Sequence, residues 1–256
     1  LSLQGPPGTG KTTVTGELIA RLVDKGKRVA VSSQTHEAIN NLLKRVQKKA
    51  ESIATNPFVV KLSSGTSEKS DQRSLSGTKV QALRENALNC EPNVLGATVF
   101  GLVKERFGEE PYDLLVVDEA GQVSLSNLLY MSHCARNILL VGDQNQLSQP
   151  NRAKHPGDSG LSCLEYVMGK EKVVPSDRGV FLATSWRMPP ALTSVVSDLF
   201  YQGALQSCIS KSENKVLWEG SQQGLSFEPV EHSSNSSESE EEIDRIEQLV
   251  NQLLGC

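Results

Sequence analysis

The 256-residue sequence has little of what would mark several protein classes. Aromatic residues make up 5% and cysteine occurs five times, at Cys90, Cys134, Cys163, Cys208 and Cys256. No two cysteines have the short spacing of a zinc or redox pair, which favours unpaired thiols over a disulfide scaffold or a metal-finger fold. The expected state is buried or unpaired thiols in a reducing cytoplasm. No apolar run reaches the ~20 residues needed to cross a bilayer, and Leu1-Ser2-Leu3-Gln4 has neither the charged start nor the apolar core of a signal peptide. Net positive charge is missing too: the formal charge is −4. This removes the simplest argument for nucleic-acid binding without opposing it, because a mildly acidic motor can bind a strand in a local groove.

What is present is a core. Hydrophobic residues make up 38%, and they fall in short β-branched and leucine runs at 28–31, 58–60, 94–99, 114–117 and 138–141. Near-continuous apolar runs of this kind are strands buried on both faces. Helical spacing occupies the intervals Lys11 to Asp24, stopped by Gly26, and Glu37 to Lys49. Strand and helix alternate, which predicts an α/β fold with a parallel sheet covered on both sides.

Residues 63–91 are polar and read as an insertion consisting of a loop and one helix. Gly157 to Gly169 reads as a short helical segment. A strand at Val180-Phe181-Leu182 followed by a helix from Ala191 to Phe200 reads as the opening of a second domain. This gives a first domain over 1–178 and an incomplete second one over 179–256. Ser239 and Glu242 form a candidate capping box for a last helix, Glu240 to Leu254. The chain starts inside a strand and stops after a helix that no strand receives, so it reads as a piece of a longer protein.

The strongest motif is Gly5-Pro6-Pro7-Gly8-Thr9-Gly10-Lys11-Thr12, followed by Thr13. It lies between a strand and a helix, the setting a phosphate-binding loop requires. Glycines allow backbone N–H groups to close around phosphates at the positive end of the helix. Lys11 would reach the β- and γ-phosphates of ATP, and the Thr12 hydroxyl would ligate Mg²⁺. The alternative is an ordinary Gly/Pro turn. Next, Asp118-Glu119-Ala120 ends the apolar run 114–117, where ligands of open parallel sheets bind. Asp118 would hold Mg²⁺ and Glu119 would orient or deprotonate the attacking water; Asp118 could otherwise be a helix N-cap. Third, Gly142-Asp143-Gln144-Asn145-Gln146-Leu147 follows another strand, where a polar side chain can sense the γ-phosphate, or where Asp143 simply makes an Asx turn.

In this order and spacing the motifs resemble superfamily 1 helicases, in the branch with a Gly-Pro-Pro-Gly-Thr-Gly-Lys-Thr loop and an Asp-Glu-Ala-x-Gln box, here Asp118 to Gln122. Ser32 to Leu42 is similar to the family's motif Ia. Thr184 to Leu192, followed by Phe200 to Leu205, is similar to its Tyr-Arg-Met-His-Pro motif, with Trp186 in place of tyrosine and Pro189 in place of histidine. Thr35 to Leu42, Asp118 to Leu125 and Pro175 to Leu182 further resemble the helicase half of bacterial proteins that fuse a RecB-like nuclease to a helicase. The resemblance implies a RecA-like ATPase domain and the start of a second one.

By the same resemblance, Gln146 is the γ-phosphate sensor, Arg187 is an arginine finger (or else pairs with a carboxylate), and Trp186 stacks on adenine (or else sits in a core). Ser33, Thr35, His36 and Thr98 would touch the backbone of a single strand; a purely helix-starting His36 is the alternative. Phe100 could face a base, although burial is the commoner fate of such a residue. The implied partner is single-stranded nucleic acid, DNA before RNA, with 5′-to-3′ movement and a nuclease fused in the parent. No adenine-reading glutamine motif precedes the loop and no later second-domain motif follows. The isolated piece is therefore expected to bind nucleotide better than it hydrolyses it. A P-loop enzyme of another class and a non-catalytic nucleotide-gated binding module are the competing readings.

Overall fold

The computed structural model describes residues 1–64, 67–84, 91–104, 110–147, 155–208, 227–233, 235–236 and 238–255; side chains 103 and 104 are not described. Among these, ten strands and eight α-helices occur in the order β1 (Ser2–Gln4), α1 (Lys11–Asp24), β2 (Val29–Ser32), α2 (His36–Ser52), β3 (Val59–Ser63), α3 (Glu68–Ser74), β4 (Gln81–Arg84), β5 (Val94–Gly96), α4 (Val99–Lys104), β6 (Leu114–Val117), α5 (Leu125–Met131), β7 (Ile138–Gly142), α6 (Cys163–Met168), β8 (Gly179–Phe181), β9 (Thr184–Ser185), α7 (Pro190–Phe200), β10 (Gln206–Ser207) and α8 (Glu240–Leu254). Eight strands form one sheet in the order β4-β3-β5-β2-β6-β7-β1-β8, and every pairing in it is parallel. The α/β class with a parallel sheet is thus what the chain adopts.

The alternation of side chains along each strand divides the core into two. Val29, Val31, Val59, Val116 and Val141 pack with Ile19 and Val23 of α1 and Ile39, Leu42, Leu43 and Val46 of α2. Ala30, Val60, Leu62, Leu115, Val117 and Leu140 pack on the other face with Leu102, Met131, Leu164 and Met168, from α4, α5 and α6. Both faces are covered, which is why these strands read as continuous apolar runs rather than as alternating ones.

Three elements differ from the sequence expectation. The 94–99 run is a strand only through Gly96; Thr98 Oγ1 accepts from the Gly101 N–H, and α4 starts at Val99. The polar 63–91 segment holds α3 and also β4, an edge strand paired with β3. Gly157 to Gly169 is helical as expected, a 3₁₀ turn followed by α6, which starts at a full capping box of Ser162 and Glu165. Finally, β8 is not the first strand of a new sheet: Ser2, Leu3 and Gln4 of β1 pair with Gly179, Val180 and Phe181. Beyond β8 stands a separate two-stranded pair, β9–β10, with α7. Ser239 caps α8 by accepting from the Glu242 N–H, while its hydroxyl contacts Glu241. Ile243, Ile246, Val250 and Leu253 of α8 are exposed.

Candidate nucleotide site

The sheet order sets β1 beside β7 and β7 beside β6, so the segments leaving their C-terminal ends are neighbours. The Gly5 N–H donates to the Gly142 carbonyl at 2.9 Å, tying the glycine loop to the tip of β7. The Asp118 N–H donates to Ser32 at the end of β2. Glycine loop, acidic pair and 142–146 box therefore share one edge, the edge where open parallel sheets bind ligands.

Within the loop, Gly8 and Gly10 have φ of +78° and +86°. Gly10 is the N-cap of α1 and supplies no side-chain cap, so the positive end of the helix dipole faces the loop. Lys11 Nζ donates to the Gly5 carbonyl at 2.6 Å, and the Thr9 hydroxyl donates to Pro6 at 2.8 Å. Thr12 and Thr13 are partly buried in the first turn of α1.

Asp118 is buried, and that burial, reinforced by the charge of Glu119, pushes its carboxyl up to about 6 against the pull of the Glu119 N–H and Lys11. Glu119 sits at φ +53°, a left-handed conformation that a residue with a side chain adopts at a cost of about 1 kcal/mol or more. It turns the chain out of β6 into the 3₁₀ turn at Ala120–Gln122. The pair is thus one buried and one strained carboxylate, side by side on the ligand edge.

Gln146 does not stand alone. Its Nε2 donates to Asp143 Oδ2 at 3.0 Å. Asp143 is only 3% exposed and also accepts from the Tyr201 hydroxyl (2.5 Å), the Asn145 N–H (3.3 Å) and Gln4 Nε2 (3.5 Å). The Asx-turn bond is present, as one part of a larger hub. Tyr201 and Gln4 had only weak signals: the first lay inside a motif match, and the second was one residue of a strand stub.

The 185–187 segment lies on the glycine loop. The Trp186 N–H donates to the Gly8 carbonyl at 2.8 Å, and the Ser185 hydroxyl donates to the Pro7 carbonyl at 3.1 Å. The Trp186 side chain is 55% exposed, which removes the core reading. No ion pair of Arg187 with a carboxylate occurs among the described residues. Ser185 was not singled out in the sequence, since a serine beside a tryptophan carries no signal of its own.

Ser33, Thr35 and His36 lie at the end of β2 and the start of α2. Thr35 caps α2 by accepting from the Ala38 N–H. His36 Nδ1 is 3.0 Å from Lys61 Nζ and 3.3 Å from Asp71 Oδ2, so the ring is held from below. Lys61 and Asp71 are both buried. Burial pushes the Asp71 carboxyl up, but hydrogen bonds from Ser63 and Asn40 and the charges of Lys61 and His36 outweigh it and leave it below its ordinary value. A cleft of about 420 Å³ is lined by Ser33, Gln34, His36, Thr98, Phe100 and Asn127. A second of about 300 Å³ is lined by Ser33, Gln34, Thr35 and Asn41 and, across it, Glu119 and Gln122. Ser33 and Gln34 line both, so the strand-contact candidates border the acidic pair. Phe100 is 71% exposed, against the expectation of burial.

Cys134 and Cys163 are buried and free, and burial pushes both thiols up to about 12. Cys90 and Cys256 lie outside the described residues. No described helix is long and apolar enough to cross a membrane.

Several known proteins are similar to this chain. The DNA replication ATP-dependent helicase/nuclease DNA2 of Xenopus laevis is 27% identical over 215 residues, covering 83% of this chain and 20% of its own length. The Homo sapiens protein of that name is 28% identical over 220 residues, covering 83% and 20%. Regulator of nonsense transcripts 1 of Caenorhabditis elegans is 24% identical over 245 residues, covering 84% and 23%. The chain spans about a fifth of the length of these relatives. Among solved structures, an arterivirus nonstructural protein 10 helicase in complex with DNA aligns with a TM-score of 0.48 at 14% identity, over 81% of this chain and 41% of that one. The family model described as an AAA domain matches residues 1–156, which contain the glycine loop, the acidic pair and the Gln146 box. On that match, the chain belongs to the AAA domain family.

Proposed function

We propose that this chain is the ATP-dependent motor portion of a superfamily 1 helicase or translocase that moves on single-stranded nucleic acid. The observation that carries the reading is the convergence of the glycine loop, the Asp118–Glu119 pair and the Trp186–Arg187 segment on one edge of the sheet, with two clefts that share Ser33 and Gln34, one reaching Glu119 and the other His36 and Thr98. A P-loop enzyme of another class would not need those clefts.

The residues present fit ATP with Mg²⁺. Gly5, Pro6, Pro7, Gly8, Thr9 and Gly10 would wrap the phosphates, Lys11 would neutralise them, and Thr13 would close the first helical turn beneath. Thr12 and Asp118 offer the hard oxygen ligands Mg²⁺ prefers, and a divalent cation would offset the burial and the Glu119 charge that raise Asp118. The ion, when bound, neutralises charge on the phosphate oxygens. Glu119 would accept a proton from the attacking water, Gln146 would read the γ-phosphate, Arg187 would stabilise the charge that develops there, and Trp186 would lie on the adenine. Ser33, Thr35, His36 and Thr98 would contact the strand's phosphates without reading bases.

DNA is favoured over RNA because the names of several relatives specify DNA replication, and a nuclease fused in the parent follows from the same names. The bacterial RecB-like fusion branch, a cytoplasmic location suited to free buried thiols, and an incomplete second RecA-like domain over 179–256 complete the proposal.

The test is ATP binding and turnover with and without single-stranded DNA and RNA. Stimulation by a polynucleotide, abolished by Glu119→Gln with ATP binding kept, supports the motor. ATP binding and turnover that no polynucleotide alters would overturn it.

A further inference from the structure

We propose that Tyr201 is a positioning residue that couples the nucleotide-sensing box to α7 and the arginine-bearing segment. Its hydroxyl holds the Asp143 carboxylate and, through that carboxylate, the Gln146 amide. The inference rests on reading Gln146 as the γ-phosphate sensor.

The geometry is specific. Asp143 Oδ2 is shared by two donors, the Tyr201 hydroxyl at 2.5 Å and Gln146 Nε2 at 3.0 Å. The other oxygen faces Gln4 Nε2 and the Asn145 N–H. The carboxylate is thus fixed on one side by β1 and the backbone after β7, and on the other by Tyr201, the C-cap of α7. Tyr201 is 2% exposed. Its ring lies 5.9 Å from that of Phe181 in β8, so the hydroxyl has little freedom to turn away. A parallel link runs beside it, from Asn145 Nδ2 to the Phe200 carbonyl at 3.0 Å. At its other end α7 begins at Pro190, directly after the segment whose Trp186 and Ser185 bond to the glycine loop.

A buried carboxylate oxygen that accepts from two donors ties their positions together. When Gln146 shifts toward or away from a γ-phosphate, the acceptor it leaves is one that Tyr201 also uses. α7 therefore feels the shift through two bonds, and the 186–187 segment lies at the far end of that helix. The tyrosine hydroxyl is buried against the Asp143 carboxylate, so its effect is on coupling and not on the chemical step itself.

The test uses the full chain with two probes, ADP and β,γ-imido-ATP, and reads the ratio of their affinities. Gln146→Ala and Tyr201→Phe are each expected to reduce the preference for the triphosphate analogue by about fivefold, the lower end of typical couplings. The double variant is expected to lose no more than either alone, because both act through one carboxylate. If Tyr201→Phe lowers the melting temperature and weakens both nucleotides equally, the residue is structural and the inference fails. If Gln146→Ala lowers the ratio and Tyr201→Phe leaves it unchanged, the coupling fails while the sensor reading stands. If Gln146→Ala itself leaves the ratio unchanged, the sensor reading fails and takes this inference with it. Should Tyr201→Phe not fold, Asp143→Asn takes its place: the same fall in ratio is expected, and an unchanged ratio overturns the coupling.

Discussion

A Cβ added to Gly8 would stand 2.4 Å from the Cβ of Arg187 and 3.2 Å from the Arg187 backbone nitrogen. The phosphate loop and the arginine segment are separated by more than 170 residues, yet they touch with no room for a methyl group. Gly8→Ala must therefore both strain a positive φ and push the 185–187 segment away. Gly10 has a similar φ, but a Cβ there meets nothing within 4 Å. Gly10→Ala is expected to cost about 1 kcal/mol of stability, whereas Gly8→Ala should add displacement of Arg187 and Trp186. Thermal melts and the change in tryptophan emission on nucleotide binding check this. Equal behaviour of the two variants would show that the contact has no consequence.

The sequence revealed the central sheet because its inner strands are buried on both faces and leave an unambiguous apolar signature. It located the glycine loop and Asp118–Glu119 at strand ends because each follows a strand-like run and breaks it with residues that suit a turn rather than a strand. It hid β4, since an edge strand with the sequence Gln81-Ala82-Leu83-Arg84 needs only one partner and has exposed ends. It hid the place of β8, whose pairing with β1 spans most of the chain. Phe100 was misjudged because burial is a tertiary outcome. Ser185, Tyr201 and Gln4 were passed over for a different reason: each acts on a backbone or carboxylate brought near only by folding.

Ser185 gives a second prediction. Its hydroxyl is fully buried, donates to Pro7, and lies 3.3 and 3.4 Å from the Met188 and Arg187 N–H groups. Ser185→Ala leaves those groups unpaired inside the protein, a loss of about 1–3 kcal/mol. Chemical denaturation measures that loss. Nucleotide affinity should fall as well, since the loop loses its tie to the arginine segment.

Asp118 sets a pH dependence. Its carboxyl is raised from an ordinary 3.8 to about 6, so the folded chain binds this proton more tightly than the unfolded chain does. The stabilising contribution is full below pH ~4 and is lost as pH rises through 6. Asp118→Asn removes the ionisation and should stabilise the nucleotide-free chain at pH 7.5 by about 1–3 kcal/mol, with no gain at pH 4. Urea unfolding at both pH values checks the sign. The same variant should weaken Mg²⁺-dependent nucleotide binding, which separates a functional carboxylate from one that merely caps a turn.

The Lys61–Asp71 pair lies under His36, with an N–O separation of 3.5 Å and both side chains buried. Breaking a buried pair leaves the other charge uncompensated, at a cost of about 3–5 kcal/mol. Asp71→Ala should therefore destabilise the chain by that order, and more than His36→Ala, whose ring is partly exposed. Single-strand affinity should fall in both, because Asp71 is one of the groups that hold the His36 ring in place. If His36→Ala binds single strands normally, His36 serves only the buried network.

Phe100 stands on the surface of the larger of the two clefts. A ring that is 71% exposed contributes little to the core, so Phe100→Ala should leave the melting temperature nearly unchanged. The ring is on the cleft lined by Ser33, His36 and Thr98, where those short side chains suit phosphates and a flat aromatic face suits a base. Stacking is worth about 1–3 kcal/mol per base, so affinity for a single-stranded oligonucleotide should fall by about 5- to 150-fold. Fluorescence anisotropy with labelled single-stranded DNA and RNA reads it directly. Because stacking does not depend on the sugar, the fall should be similar for both, while any preference between them should survive the substitution. A large loss of stability with unchanged affinity would mean that Phe100 packs against the protein and that the strand runs elsewhere.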